Sequence, residues 1–216
     1  MTLSGWQKTT VKEQVYNLLK QNILTQKYEM GERLNIGNLS QQLGVSNSPI
    51  REAINMLVTE GLVTVSPNST VSVVSLTMQD MYELSQMICF LQIGAYEYCV
   101  RQEMTQKLLT PMKRILDRQH DLMAKGELYE FVQAANSFDR CIIEGTGNSR
   151  LLGNFDNVFA LFTLAALYDY QHRDTDWRMN TAEHEQIYEA VLQQRHRQVV
   201  ELIDHHYSKP EWADKW

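Results

Sequence analysis

The sequence predicts a mainly α fold in two parts: a winged helix-turn-helix with a small β-hairpin at the N-terminus, then an all-α antiparallel helical bundle. Three observations carry this. Apolar residues recur at intervals of three and four through most of the chain, which is helical spacing. Alternation suited to strands occurs only in Leu62-Val63-Thr64-Val65 and Val71-Ser72-Val73-Val74. Charge is also unevenly shared: residues 1–75 carry six Lys/Arg against five Asp/Glu, a net of +1, and residues 76–216 carry 14 against 21, a net of −7.

The first helix is expected around Val11, Val15, Leu18, Leu19 and Ile23, with Lys8, Lys12, Lys20 and Lys27 along or beside it. Ile36, Leu39 and Leu43 mark a second, and Gly44 supplies the left-handed stop that helices favour. Ile50, Ala53, Ile54, Leu57 and Val58 mark a third, which Gly61 ends. Ser46 or Ser48 is expected to cap the third helix, and Pro49 fits its first turn, where an amide donor would be orphaned anyway. Asn47, Ser48 and Arg51 then project from the leading turns, away from the apolar stripe. They can donate to base edges and phosphates, as a recognition helix must. The hairpin joined through Ser66-Pro67-Asn68-Ser69-Thr70 forms a wing, its tip near the backbone or minor groove.

From Met78 onward helices are expected over 78–101, 105–124, 127–144, 149–171, 179–193 and 195–208. Thr77 can cap the first of them, so the domains are set at 1–76 and 77–216. Such a bundle has room for a ligand between helices. Tyr82, Phe90, Tyr96, Phe138, Phe159, Phe162 and Tyr168 are either its walls or plain core. Cys89, Cys99 and Cys141 show no metal-ligand spacing and form an odd set, which suits buried thiols in a reduced cytoplasm. No signal segment and no eighteen-residue apolar run occurs, which argues against secretion and membrane spanning. Trp212 and Trp216 read as a tail or dimer contact.

The blocks G-E-R-L, L-S-Q-Q-L-G-V-S, S-P-I-R-E-A-I and L-V-T-E-G-L-V, spread over residues 10 to 75, resemble the winged-helix head of the GntR regulators, in particular the FadR-like branch. The resemblance implies a homodimeric bacterial transcription factor, most commonly a repressor, with a helical effector domain of the FCD type. A pseudo-palindromic double-stranded DNA operator and a small-molecule effector follow as partners. Arg33, Ser46, Asn47, Ser48, Pro49, Arg51, Asn68, Ser69 and Thr70 are the expected DNA-binding residues. Two departures stand out. Asn47 occupies a place where the family usually has Arg, favouring adenine or phosphate over guanine. Asn68, Ser69 and Thr70 replace the usual Arg-Gly of the wing, which predicts weaker backbone affinity.

Many FCD domains hold a metal through an Asp and a His four residues apart, a His opening a later helix, and a further His twenty-two residues on. The segment F-D-R-C-I-I-E-G-T-G-N is similar to the first of these helices, with Asp139 at the family's His position and Ala135 at its Asp position. His184 and His206 retain the later pair. Asp139, His184 and His206 are therefore candidates for holding Zn or Ni, with plain cavity lining as the alternative. Ile88 and Gln92 stand where the family often has Arg and Glu, so the effector is expected to be non-acidic. Two other readings are an effector-independent dimeric regulator and a metal-dependent enzyme using Glu183, Glu185 or Asp204. No catalytic residue is assigned, because H-E-Q-I-Y lacks the second His of a hydrolase helix and no phosphate-binding or nucleophile motif occurs.

Overall fold

The structure, a computed structural model, describes residues 10–172 and 176–208. Lys8, Trp212 and Trp216 lie outside the described residues. The chain divides between Ser75 and Leu76 into two compact units.

The first unit runs α1 (Val11–Leu24), α2 (Ile36–Leu43), α3 (Asn47–Thr59), β1 (Val63–Val65) and β2 (Val71–Val73). Thr10 opens α1 with a capping box closed by Glu13. Asn35 caps α2, and Gly44 ends it at φ 64°, the left-handed turn that brings α3 about. Ser46 sits at the N-cap of α3 but makes no side-chain cap hydrogen bond. Ser48 does not cap either; its hydroxyl turns to the Glu52 carboxylate at 3.3 Å. The reason for this departure from the expected cap is local. An N-cap side chain engages the amide of the second or third helical residue; the third here is Pro49, which has none, so only the Ser48 amide remains for Ser46.

Val15, Leu19 and Ile23 of α1, Leu39 of α2 and Ile50, Ala53, Ile54 and Leu57 of α3 are buried together with Leu62, Val63, Val71 and Val73. Val58, expected in the stripe, is exposed. The strands pair antiparallel, Val63 opposite Val73 and Val65 opposite Val71. The segment before α2 adds to the hairpin: Leu34 N–H donates to the Val71 carbonyl at 2.9 Å, and Val73 N–H to the Glu32 carbonyl at 2.9 Å. At the far end of α3, Glu60 accepts from the Tyr16 hydroxyl and pairs with Lys20 at 2.8 Å, tying α3 to α1.

The second unit is helical throughout its described residues: α4 (Met78–Arg101), α5 (Gln106–Lys125), α6 (Leu128–Gly145), α7 (Ser149–His172), α8 (Arg178–Leu192) and α9 (His196–Tyr207). A Thr77 and Asp80 capping box starts α4. α5 packs on α6 and α8, α4 on α6, α7 and α9, and α8 on α9. Tyr96, Phe138, Phe155 and Phe159 are core, whereas Phe90 is 68% exposed and lines an open surface groove with Leu91, Tyr98 and Leu151. By length and composition α7 is the one described helix that could cross a bilayer. In the bundle it is a core helix, with Phe155, Leu164 and Leu167 fully enclosed.

Gly44 has open space around it, so a methyl group there meets no neighbour and only its φ is at issue. Gly44→Ala should cost roughly 1–2 kcal/mol through the left-handed strain alone. The expected outcome is amide exchange across α2 and α3 faster by about 5- to 30-fold, measured by mass spectrometry.

Candidate functional site

The leading turn of α3 is presented outward because its opposite face is anchored. Ile50, Ala53 and Ile54 are 0%, 0% and 2% exposed, while Ser46, Asn47, Ser48 and Arg51 are exposed and Pro49 is half-buried. Among the described residues Arg51 has no ion-pair partner, and no acidic residue stands in the first turn of α3. A helix start of this kind carries unsatisfied amides and a partial positive charge, which suit a phosphate. At the wing, Asn68 and Ser69 are exposed and Thr70 is half-buried. Ser69 adopts φ 57° and donates its N–H to the Ser66 carbonyl at 2.9 Å. A side chain thus occupies a left-handed position that glycine would fill without strain. Arg33 is exposed beside the hairpin, its backbone bridged to Ser72.

In the second unit, α6, α8 and α9 bring Asp139, His184 and His206 together. One ligand atom from each lies within 4.8 Å of the others, and all three residues are buried. His184 stacks on Phe138, with ring centroids 4.2 Å apart, and its Nδ1 faces the Gln119 side-chain amide at 3.1 Å. Its Nε2 is buried with no hydrogen-bond partner and stands 3.6 Å from Asp139 Oδ1, too far for a hydrogen bond. His206 directs Nδ1 to the Glu183 carboxylate, which fixes a proton on Nδ1. Burial lowers the pKa of His184 from 6.5, and the Asp139 charge only partly opposes this, so the ring is neutral at pH 7. Two imidazoles, each held through Nδ1, and one carboxylate form a donor set that fits Zn²⁺ or Ni²⁺.

The residues around this trio explain its shape. A cavity of about 30 Å³ opens beside Asp139 and His206, bordered by Ala135, Asn136, Asp169 and Asn180. Gln92 is buried and donates to the Asp139 carbonyl at 2.8 Å, so it fixes the carboxylate's backbone. Ile88 is plain core. Glu185 instead pairs with His120 at the surface, and Asp204 is exposed beside Cys89, so neither joins the trio. Burial pushes the Cys89 and Cys141 thiols up to about 11, which makes them poor thiolates. Spacing along the chain does not reveal Gln119, Asp169 or Asn180, and it does not show that Glu183 holds His206. One signal was available: Gln119 interrupts the apolar stripe Met112, Ile115, Leu116 and Leu122 of α5, a polar group on a buried face.

Comparison with known proteins agrees with both units. Residues 11–73 match the family described as bacterial regulatory proteins, gntR family, and residues 83–209 match the FCD domain. The HTH-type transcriptional regulator YdhC of Bacillus subtilis is 29% identical over 181 residues, covering 82% of this chain and 79% of its own. The Nta operon transcriptional regulator of Aminobacter aminovorans is 26% identical, covering 68% of this chain and 69% of its own. Among solved structures, Escherichia coli McbR/YncC superposes with a TM-score of 0.76 at 19% identity, covering 94% of this chain and 96% of its own. A GntR-type regulator from Rhodococcus sp. RHA1 gives 0.78 at 16% identity, over 95% and 98%. At these identities the structures speak for the fold alone.

The depressed pKa of His184 links stability to pH. Above its unfolded value of 6.5 the ring is neutral folded or unfolded, so nothing is lost there. As pH falls below that value the unfolded chain takes up a proton that the folded chain resists, and stability declines. Urea unfolding between pH 7.5 and 5.5 should show this decline, and His184→Gln should flatten it.

Proposed function

The chain belongs to the gntR family of bacterial regulatory proteins and carries an FCD domain, and on that premise we propose how its residues divide the work. It is a DNA-binding transcriptional regulator whose second unit takes an effector. We read it as a cytoplasmic homodimer of the FadR-like branch that places two copies of α3 on a pseudo-palindromic operator and represses transcription, with no catalytic step. The observation that carries the DNA reading is the outward leading turn of α3, where Asn47, Ser48 and Arg51, unpaired among the described residues, stand on a buried apolar base. Arg33 and the wing residues Asn68, Ser69 and Thr70 supply flanking contacts. With a net of +1 per head, two heads are needed to gather enough positive charge.

Self-association is supported by α4, where Met87, Phe90 and Tyr98 are exposed along one face around Gly94. Exposed apolar side chains on one helix face suit an isologous contact, in which each copy offers the same patch.

In the second unit, Asp139, His184 and His206 would hold Zn²⁺ or Ni²⁺. A metal bound there would leave coordination positions to water or to an effector oxygen. Gln119 and Glu183 orient the two imidazoles, and Gln92 fixes the main chain of Asp139. Among the described residues no Lys or Arg borders the cavity, which favours a non-acidic effector. The effector changes operator affinity only if it binds one arrangement of the heads better than another.

Two measurements test this reading. Arg51→Ala should weaken specific binding to genomic DNA fragments by about 1–3 kcal/mol, roughly 5- to 150-fold, with unchanged circular dichroism. Parental affinity at fixed salt in fluorescence anisotropy would overturn the placement of α3. Adding excess ZnCl₂ or NiCl₂ should raise the melting temperature of the parental chain by about 5 °C or more, and His184→Gln should abolish that rise.

A further inference from the structure

α6 turns one face to the cavity that holds Asp139, and another face to a groove of opposite character. Gln133, Ser137 and Arg140 of α6 line an open groove of about 410 Å³ whose other wall is α5. Arg114 and Arg118 stand on that wall, one turn apart and both exposed. We propose that this groove is a second ligand site, separate from the metal trio, which takes a small dianion of the phosphate-ester class between Arg114, Arg118 and Arg140.

The three guanidiniums are unequally satisfied. Arg140 donates through Nε and Nη2 to Asp156 of α7 at 2.7 and 3.0 Å, and through Nη1 to Glu144. Those bonds fix the plane of the guanidinium and leave further N–H donors for a ligand. They also engage Glu144, the one carboxylate among the residues that line the groove. Among the described residues Arg114 and Arg118 have no carboxylate within ion-pair distance, and Asp117, which lies between them in sequence, pairs with Lys113. Like charges four residues apart on one helix repel each other. An anion seated between them relieves that repulsion and gains the forked N–H···O bonds that guanidiniums make with phosphate oxygens. Cys141, at the groove wall, shows that the two helices converge there: burial and Asp139 raise its thiol pKa, while Arg114 of α5 and Arg140 of α6 oppose the rise. Two uncompensated cations and a third with donors left suit two negative charges, and a phosphate monoester carries about −1.5 to −2 at pH 7. Gln133 is half-buried, and its side-chain amide has no partner among the described residues, so it can bond the rest of the ligand. The volume lies in the range of small-molecule sites. Residues 76–216 carry a net of −7, which disfavours a long polyanion such as duplex DNA in the same place.

Titration calorimetry on the full chain tests this, with phenyl phosphate as the probe, its ring suited to Pro111 and Ile115 of the groove. EDTA is kept present, so that no metal holds the anion and the outcome is independent of the metal reading. The parent should show saturable binding that weakens as NaCl is raised. Arg114→Gln and Arg118→Gln should each weaken it by about 5- to 30-fold. Their melting temperatures without ligand should equal the parent's or exceed it, because a like-charge pair is gone. Arg118→Lys keeps the charge and loses the fork, and should bind more weakly than the parent and more tightly than Arg118→Gln. An absence of saturable binding by the parent, or parental affinity in Arg114→Gln or Arg118→Gln, would overturn the site. Displacement of phenyl phosphate by random-sequence duplex DNA in an Arg51→Ala background would overturn it too, and would make the groove a nucleic-acid surface instead.

Discussion

The burial of Ile50, Ala53, Ile54 and Leu57 against α1 and α2 is the constraint from which the first unit follows. A helix of thirteen residues has one stripe to hide, and hiding it decides which groups face water. Asn47, Ser48 and Arg51 are outside because Ile50, Ala53, Ile54 and Leu57 take the opposite side of the helix into the core. Gly44 sets the direction from which α3 leaves α2, and Pro49 takes away one of the two amides that the Ser46 hydroxyl could have capped. The polar surface of α3 is therefore left uncommitted to the helix's own backbone.

The second unit turns on a different balance. Its core is apolar, and at one place a carboxylate and two imidazoles are drawn into it. Such groups persist in a dry interior when each is oriented by a partner, and here the partners come from four helices: Gln92 of α4, Gln119 of α5, Glu183 of α8 and the Phe138 ring of α6. The bundle geometry and the polar cluster are thus mutually dependent. Shifting one helix would strand a polar group that another helix now satisfies.

Much of this was legible in the chain itself. The six helices from Met78 onward follow from apolar spacing and from punctuation at Gly126, Gly145 and Gly147, and the observed ends differ from the expected ones by at most one residue. The hairpin follows from alternation. The encounter of Asp139, His184 and His206 was readable only through a resemblance, since residues of α6, α8 and α9 meet by packing and not by spacing. Asp169 and Asn180 were hidden altogether: a single polar residue in an apolar helix looks the same whether it lines a cavity or faces water. The missing Ser46 cap was hidden for another reason, because the preference for serine is statistical and the missing amide is specific to Pro49. The exposure of Phe90 was equally illegible, since nothing in the pattern of α4 marks which aromatic stays outside.

The link from Tyr16 and Lys20 to Glu60 has a mechanical meaning. It clamps the trailing end of α3 onto α1, just as the apolar stripe clamps its middle. A lever held at two points along its length cannot pivot, so this helix has no private degree of freedom within its own head. Any signal that alters what it reads must carry the whole head as freight.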